Sequence, residues 1–196
     1  MKKMMTLVTL VVALVSCGTG GKKNADNVAE KEQVAAEIVQ PVPDSVGYIV
    51  RIGDEAPDFA MEVVDGEIMK LSSLRGKVVM LQFTASWCGV CRREMPFIEK
   101  DIWQKHKENP NFALIGIDRD EPLDVVSNFA KQTGVTYPLA LDPGADIFAK
   151  YADRKAGITR NVLIDREGKI VMLTRLFNEE EFAALCKKID EMLAEQ

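Results

Sequence analysis

Cys88 and Cys91 lie three positions apart in the run 87–96 (WCGVCRREMP), after an apolar, strand-like stretch and at the start of a helix-like one. This spacing lets both sulfurs meet within one turn, so a disulfide can close with little backbone movement. The N-terminus of a helix carries unpaired N–H groups and a partial positive charge, which favour a thiolate at Cys88. The thiolate attacks a disulfide and Cys91 then resolves the mixed disulfide. The run therefore predicts a thiol–disulfide exchange site.

Half of a zinc site is the alternative interpretation of this cysteine pair. Structural zinc is held by four ligands, usually with a second Cys or His pair at similar spacing. The remaining candidates, Cys17, Cys186 and His106, are scattered singly along the chain. We therefore expect no metal site and no cofactor other than the Cys88–Cys91 disulfide. Cys186 lies beside the apolar stripe of a C-terminal helix and is expected to be a buried or half-buried free thiol.

The N-terminus has the pattern of an export signal. Lys2 and Lys3 precede an apolar stretch, Met4 to Val15, that is too short to cross a bilayer as a mature helix. The sequence 14–17 (LVSC) resembles a bacterial lipobox, which implies cleavage before Cys17 and lipidation of its thiol. We therefore expect residues 1–16 to be a lipoprotein signal peptide and the mature protein to be anchored to a membrane of the cell envelope, facing the periplasm.

Residues 17–45 are rich in Gly, Lys, Asn, Ala, Glu and Gln and show no clear strand alternation, which predicts a flexible tether. Residues 46–196 then form one domain of about 150 residues, enough for a hydrophobic core. The net charge is −5 and no basic block is present, so nucleic acid is not expected as a partner.

The domain alternates strand and helix patterns. A nearly continuous apolar run, 77–83, predicts a central strand buried on both faces. Turn residues at 65–66 and 166–168 predict a β-hairpin near each end of the domain. The further predicted elements are a helix from the cysteines to about Lys107 kinked at Pro96, strands 112–117 and 137–141, and helices 123–132, 145–151 and 179–193. This order argues an α/β fold with a mixed sheet covered by helices on both faces.

Several motifs in this order give the chain 52–193 a resemblance to the thioredoxin fold. Within that fold it is similar to the TlpA/ResA-type thiol–disulfide oxidoreductases of the redoxin/AhpC-TSA superfamily. The motifs are the opening 53–59 (GDEAPDF), the lead-in 74–79 (LRGKVV), the WCGVC and MP sequences of 87–96, and a strand and helix from 112 onward that resemble the central insertion. The resemblance implies a thioredoxin-like fold with an N-terminal β-hairpin.

The resemblance also implies roles for individual residues. Cys88 is expected to be the nucleophile and Cys91 the resolving thiol, with Trp87 packing beside them and shaping the docking surface. Glu94 matches an acidic residue near the active site of ResA-like proteins, where it exchanges protons with the dithiol or tunes it. The alternative is that Glu94 is a surface carboxylate in the first turn of the helix, favourable to the helix dipole.

Several positions depart from the family pattern, and two of them bear directly on the chemistry. Gln82 stands where thioredoxin has a buried acid, and an amide cannot deprotonate Cys91. Thr159 stands where the family usually has a cis-proline opposite the CxxC motif. A cis bond before a residue other than proline costs about 3–4 kcal/mol, so we expect a trans Ile158–Thr159 bond. Arg160 is then expected close to the active site, adding positive charge near Cys88.

The sequence thus predicts an extracytoplasmic enzyme that reduces disulfides of specific partner proteins, with a membrane thiol reductase as its electron donor. A peroxiredoxin-like peroxidase is one alternative, but Leu81 and Ala85 occupy the positions where such enzymes need proline and Thr or Ser. A copper-binding module of the Sco type is another, because two thiols suit Cu(I). That interpretation lacks a suitably placed histidine, since His106 is the only one in the chain.

Overall fold

The structure is a computed structural model that describes residues 47–195. The expected signal peptide, the lipidation site Cys17 and the tether up to residue 45 lie outside the described residues.

Within the described residues, seven strands form one mixed sheet in the order β2-β1-β5-β4-β3-β6-β7. The strands are β1 Ala60–Val63, β2 Ile68–Lys70, β3 Val78–Thr84, β4 Phe112–Arg119, β5 Leu139–Asp142, β6 Arg160–Ile164 and β7 Ile170–Arg175. The central strand β3 runs parallel to β4 and antiparallel to β6. All seven residues of β3 are buried, as its continuous apolar run predicts.

In residues 47–195, three helices of more than two turns accompany the sheet: α1 Gly89–Phe97, α2 Leu123–Thr133 and α3 Glu179–Ala194. Helix α1 continues through a π-helical segment, Ile98–Trp103, into a short α-helical turn, Gln104–His106. Pro96 lies inside α1, two residues before the π segment begins. Proline has no N–H to donate, so the α-helical hydrogen bonding is already interrupted where the π segment begins.

Side chains alternate between two core clusters on opposite faces of the sheet. Met80 belongs to the cluster on one face, called the first face here, and Leu81 to the cluster on the second face. The three α-helices pack mainly on the first face, through residues such as Met95, Phe129 and Leu185. The second face is covered by the segment before β1 and by short 3₁₀ turns. The predicted covering of both faces is confirmed, although by different kinds of element on each face.

Both predicted hairpins are present, since β1 pairs with β2 and β6 with β7 in antiparallel register. The predicted helix 145–151 is wrong. The chain instead forms two 3₁₀ turns, Pro143–Ala145 and Phe148–Lys150. Asp142 explains why: its carboxylate accepts the N–H groups of Ile147 and Phe148 at 2.7 and 2.9 Å. These bonds hold the segment in short turns, because a side-chain acceptor competes with helical hydrogen bonding.

Candidate active site

The two cysteines form a disulfide at the start of α1, with Cα atoms 5.3 Å apart. Cys88 is the N-cap residue of the helix, and its sulfur accepts the N–H of Cys91 at 3.1 Å. This places the first sulfur at the positive end of the helix dipole, as the spacing predicts. Cys88 is 7% exposed and Cys91 is fully buried, so a partner can reach only the first sulfur.

Ser86 anchors the segment that enters the motif. Its N–H and hydroxyl both donate to the carboxylate of Glu121, which follows β4. The guanidinium of Arg92, on α1, donates to the Ser86 carbonyl at 2.7 Å. Hydrogen bonds with Glu121, which follows a strand, and with Arg92, on the helix, therefore fix the backbone two residues before Cys88.

Thr159 lies directly against the disulfide. Its hydroxyl oxygen is 3.2 Å from the Cys88 sulfur and 3.3 Å from the Cys91 sulfur. Residues 47–195 contain no cis peptide bond, so the Ile158–Thr159 bond is trans, as expected without proline. The structure thus places the Thr159 hydroxyl in contact with both sulfurs, a contact that its position in the sequence alone does not predict.

Arg160 begins β6 and is fully buried. Its guanidinium lies 4.3 Å from the ring centroid of Tyr48, and its Nε donates to the carbonyl of Gly157 at 3.0 Å. Burial lowers the pKa of the guanidinium, and the nearby Tyr48 side chain opposes this shift. These contacts direct the group toward Tyr48, and the expected addition of positive charge near Cys88 stays a prediction.

Glu94 lies one turn after Cys91 on α1 and is only 2% exposed, so the surface-carboxylate interpretation is wrong. One of its oxygens accepts a hydrogen bond of 2.7 Å from the Asn161 side chain. The other has no hydrogen-bond partner among the described residues. Burial raises the pKa of Glu94 to about 7, against the opposing effects of the Asn161 and Gln82 side chains. The side chain can therefore gain or lose a proton near neutral pH.

Glu94 rests on a row of polar or small residues that crosses the sheet. Gly116, Gln82, Asn161 and Thr174 are register neighbours on four adjacent strands. Asn161 donates to the Thr174 hydroxyl at 2.9 Å, in addition to its bond to Glu94. We call these four residues the transverse polar row. The sequence does not reveal the transverse polar row, because its four positions are far apart in the chain.

Tyr137 adds a hydrogen bond to the row from outside it. Its hydroxyl donates to the Gln82 side-chain oxygen at 2.7 Å, and its ring passes close to Gly116. A Cβ at position 116 would lie 3.2 Å from that ring, so the glycine makes room for it. The Gln82 amide thus has a structural partner of its own, where thioredoxin has an acid.

A second buried acid lies near the motif and was also missed. Asp118 sits near the end of β4, beside Thr84 on β3, and is fully buried. Burial raises its pKa to about 8, and the neighbouring Glu121 carboxylate contributes to the same upward shift. The signal was available in the sequence as an acidic residue at the end of an apolar strand run.

Trp87 is 60% exposed, although it directly precedes the nearly buried Cys88. The guanidinium of Arg119 lies 5.3 Å from the centroid of one of its rings. An exposed indole beside the reachable sulfur is suited to contact a partner, and its docking role stays a prediction.

The remaining candidates lie apart from this site. Cys186 is a half-buried free thiol, as expected, and burial raises its pKa to about 11. His106 bonds to the Asp190 side chain at 2.9 Å. In the part of the chain described, no three His, Cys, Asp or Glu side chains are grouped to hold a metal ion. The same part contains no helix of the length and apolarity that crossing a membrane requires.

The fold and the dithiol define a thiol–disulfide oxidoreductase of the thioredoxin fold. The Redoxin family profile matches residues 51–189, and the chain belongs to that family. A thiol–disulfide oxidoreductase ResA of Bacillus cereus is 32% identical over 172 residues, which are 87% of this chain and 88% of that protein.

Solved structures agree with this assignment. The solution structure of a proposed protein disulfide isomerase from Bacteroides thetaiotaomicron has 78% sequence identity and a TM-score of 0.75, covering 76% of this chain and 94% of that one. A proposed thiol:disulfide interchange protein DsbE from Chlorobium tepidum has 31% identity and a TM-score of 0.64, covering 73% and 98% of the two chains. Protein disulfides are therefore the substrates that the relatives imply.

Proposed function

We propose that this oxidoreductase works in the cell envelope as a reductant of disulfides in specific partner proteins. A membrane thiol reductase supplies its electrons, and acyl chains on Cys17 hold it at a membrane. The observation that carries the direction of electron flow is the buried carboxyl group of Glu94, one turn after Cys91.

The charge of Glu94 opposes thiolate formation in the reduced protein. Side chains three positions apart on a helix are neighbours, and a carboxylate beside a thiolate raises the thiol pKa. Strong oxidants of this fold owe their high potential to a stabilised reduced form. A dithiol beside a buried carboxylate lacks that stabilisation, which favours a low potential and the reductant role.

The covalent bonds of the reaction form and break only among the two sulfurs of the reduced protein and the two sulfurs of the partner. The Cys88 thiolate attacks a partner disulfide, forms a mixed disulfide and releases one partner thiolate, which takes up a proton. Cys91 then loses its proton and attacks the Cys88 sulfur, releasing the second partner thiol. The dithiol loses two electrons and the partner disulfide gains them. The exposure of Cys88 and the burial of Cys91 match this order of attack.

The test is the reduction potential of the Cys88–Cys91 pair, measured by equilibrating the protein in dithiothreitol or glutathione buffers and trapping free thiols. We expect a value of about −270 mV, the range of thioredoxin, and a less negative value in Glu94→Gln. A value of about −120 mV would identify an oxidant. An unchanged potential in Glu94→Gln would show that another group sets it.

The location is tested separately with the full chain in a bacterial host that processes lipoproteins. We expect the wild-type protein in the membrane fraction and Cys17→Ser in the soluble fraction. Equal distribution of the two proteins would contradict the lipid anchor and leave the redox chemistry unaffected.

A further inference from the structure

The Thr159 hydroxyl occupies a fixed position between the two reacting sulfurs. Its oxygen is almost equidistant from them, at 3.2 Å from Cys88 and 3.3 Å from Cys91. The residue is 3% exposed, so water does not compete freely for these contacts. Its backbone carbonyl accepts the N–H of Leu176 at 3.1 Å, which ties the loop to the segment after β7.

A hydroxyl group has one proton and can accept hydrogen bonds through its lone pairs. It can therefore donate to one sulfur at a time while it accepts from the other. A thiolate is a far better acceptor than a thiol or a disulfide sulfur, because hydrogen bonds to charged groups are the stronger ones. The direction of the Thr159 hydroxyl is thus set by which sulfur carries the charge.

We propose that Thr159 is a catalytic residue whose hydroxyl donates a hydrogen bond to whichever of the two sulfurs is the thiolate. In the reduced protein the Cys91 thiol donates to the Thr159 oxygen, and the Thr159 proton points to the Cys88 thiolate. This arrangement places the negative charge on Cys88, the sulfur that a partner can reach.

The same hydroxyl serves the second step after a rotation about its C–O bond. In the mixed disulfide the Cys88 sulfur is covalently bound to the partner and carries no charge. Cys91 gives up its proton through neighbouring groups to solvent, and the hydroxyl then donates to the Cys91 thiolate. The bond between Cys88 and the partner sulfur breaks as the Cys88–Cys91 bond forms, and the partner thiolate leaves and is protonated. Thr159 is unchanged at the end of the cycle.

This role rests on the dithiol chemistry and is independent of the direction of electron flow proposed above. A proline at this position has no side-chain donor, so the interaction is a property of the threonine in this chain. The hydroxyl also acts against the Glu94 carboxylate, since the first favours a thiolate and the second disfavours it.

The experiment compares Thr159→Val, which keeps the branched shape without the donor, with Thr159→Ser, which keeps the donor. The reduced proteins are alkylated with iodoacetamide across a pH series, and peptide mapping by mass spectrometry reads each cysteine separately. The charged groups Glu94, Arg119 and Arg160 are the same in all variants. Cys186, a half-buried thiol, is the internal control.

We expect Thr159→Val to slow Cys88 alkylation about tenfold at mildly acidic pH, since one hydrogen bond to a charged sulfur is worth at least that factor. The midpoint of the pH profile should move upward, while Thr159→Ser stays close to wild type. Cys186 should react equally in all three proteins.

Two results would overturn the proposal. One is a Thr159→Val protein that reacts at the wild-type rate with the wild-type midpoint. The other is equal slowing by valine and serine, which would mean that shape and not the hydroxyl matters. If Thr159→Val does not fold, Thr159→Ala removes the same donor without added bulk and is read in the same way.

Discussion

Replacing Glu94 with glutamine should remove a pH dependence from the stability of the oxidised protein. The carboxyl group is buried on α1, with one oxygen bonded to Asn161. Burial raises its pKa to about 7, compared with an ordinary value of 4.5. The folded protein therefore holds this proton more tightly than the unfolded chain does.

The sign and size of the effect follow from linkage. Because the folded-state pKa of Glu94 is raised, its contribution is most favourable below pH 4.5. It is lost as the pH rises to about 7, where the folded form must ionise a buried group. At about 1.36 kcal/mol per pKa unit, the whole loss is about 3 kcal/mol. Glutamine does not ionise and cannot show this loss.

The assay is urea unfolding of the oxidised proteins at pH 5 and pH 8, followed by tryptophan fluorescence. We expect Glu94→Gln to gain about 2.5 kcal/mol of unfolding free energy relative to wild type between the two pH values, because part of the loss has already occurred at pH 5. Asp118 and Asp142, whose pKa values are also raised, chiefly by burial, are present in both proteins and cancel in the difference. Glu180→Gln, at an exposed position, is the matched control and should show no such change.

A difference between wild type and Glu94→Gln that is the same at both pH values would refute the burial argument. It would mean that the carboxyl group titrates as it does in the unfolded chain. A loss of relative stability in Glu94→Gln at pH 8 would be equally contrary, because it would require a favourable charge on the folded-state carboxylate.

Two further predictions concern the packing and the charge near the site. Gly116→Ala should lower the unfolding free energy by about 1–3 kcal/mol in urea titrations, because its Cβ would overlap the Leu139 side chain. Gly157→Ala, where a Cβ has open space, should have little effect, and equal losses would contradict the packing argument. Glu121→Gln should lower the pKa of Asp118, measured by carboxyl NMR titration, because it removes a neighbouring negative charge. An unchanged titration would show that burial alone shifts Asp118.

The sequence predicts the dithiol and the order of the elements because both depend on local patterns. The spacing of Cys88 and Cys91 and the apolar run of β3 are each visible within a few residues. The same holds for both hairpins, whose turn residues are adjacent. The predicted helix 145–151 is wrong because of a contact that is also nearly local. The Asp142 carboxylate accepts hydrogen bonds from two backbone N–H groups a few residues later.

The chemistry around the disulfide is less accessible from the sequence because it depends on register between distant strands. Gln82 and Asn161 become neighbours through the pairing of β3 with β6. That pairing places the Asn161 amide beneath Glu94, and helix packing then buries the carboxyl group. The pattern of helix residues alone gave no reason to prefer the active-site interpretation of Glu94 over the surface one.

The two sulfurs therefore lie in different surroundings, and this difference sets the order in which they react. Cys88 caps the helix and is the sulfur with a path to solvent, so a partner disulfide must meet it first. Cys91 is enclosed, so its proton must leave through neighbouring groups rather than directly to water. Gln82 cannot accept that proton, because an amide has no suitable basicity. We propose that the Thr159 hydroxyl, which touches both sulfurs, and Glu94, whose pKa of about 7 suits proton exchange near neutral pH, assist the departure of that proton.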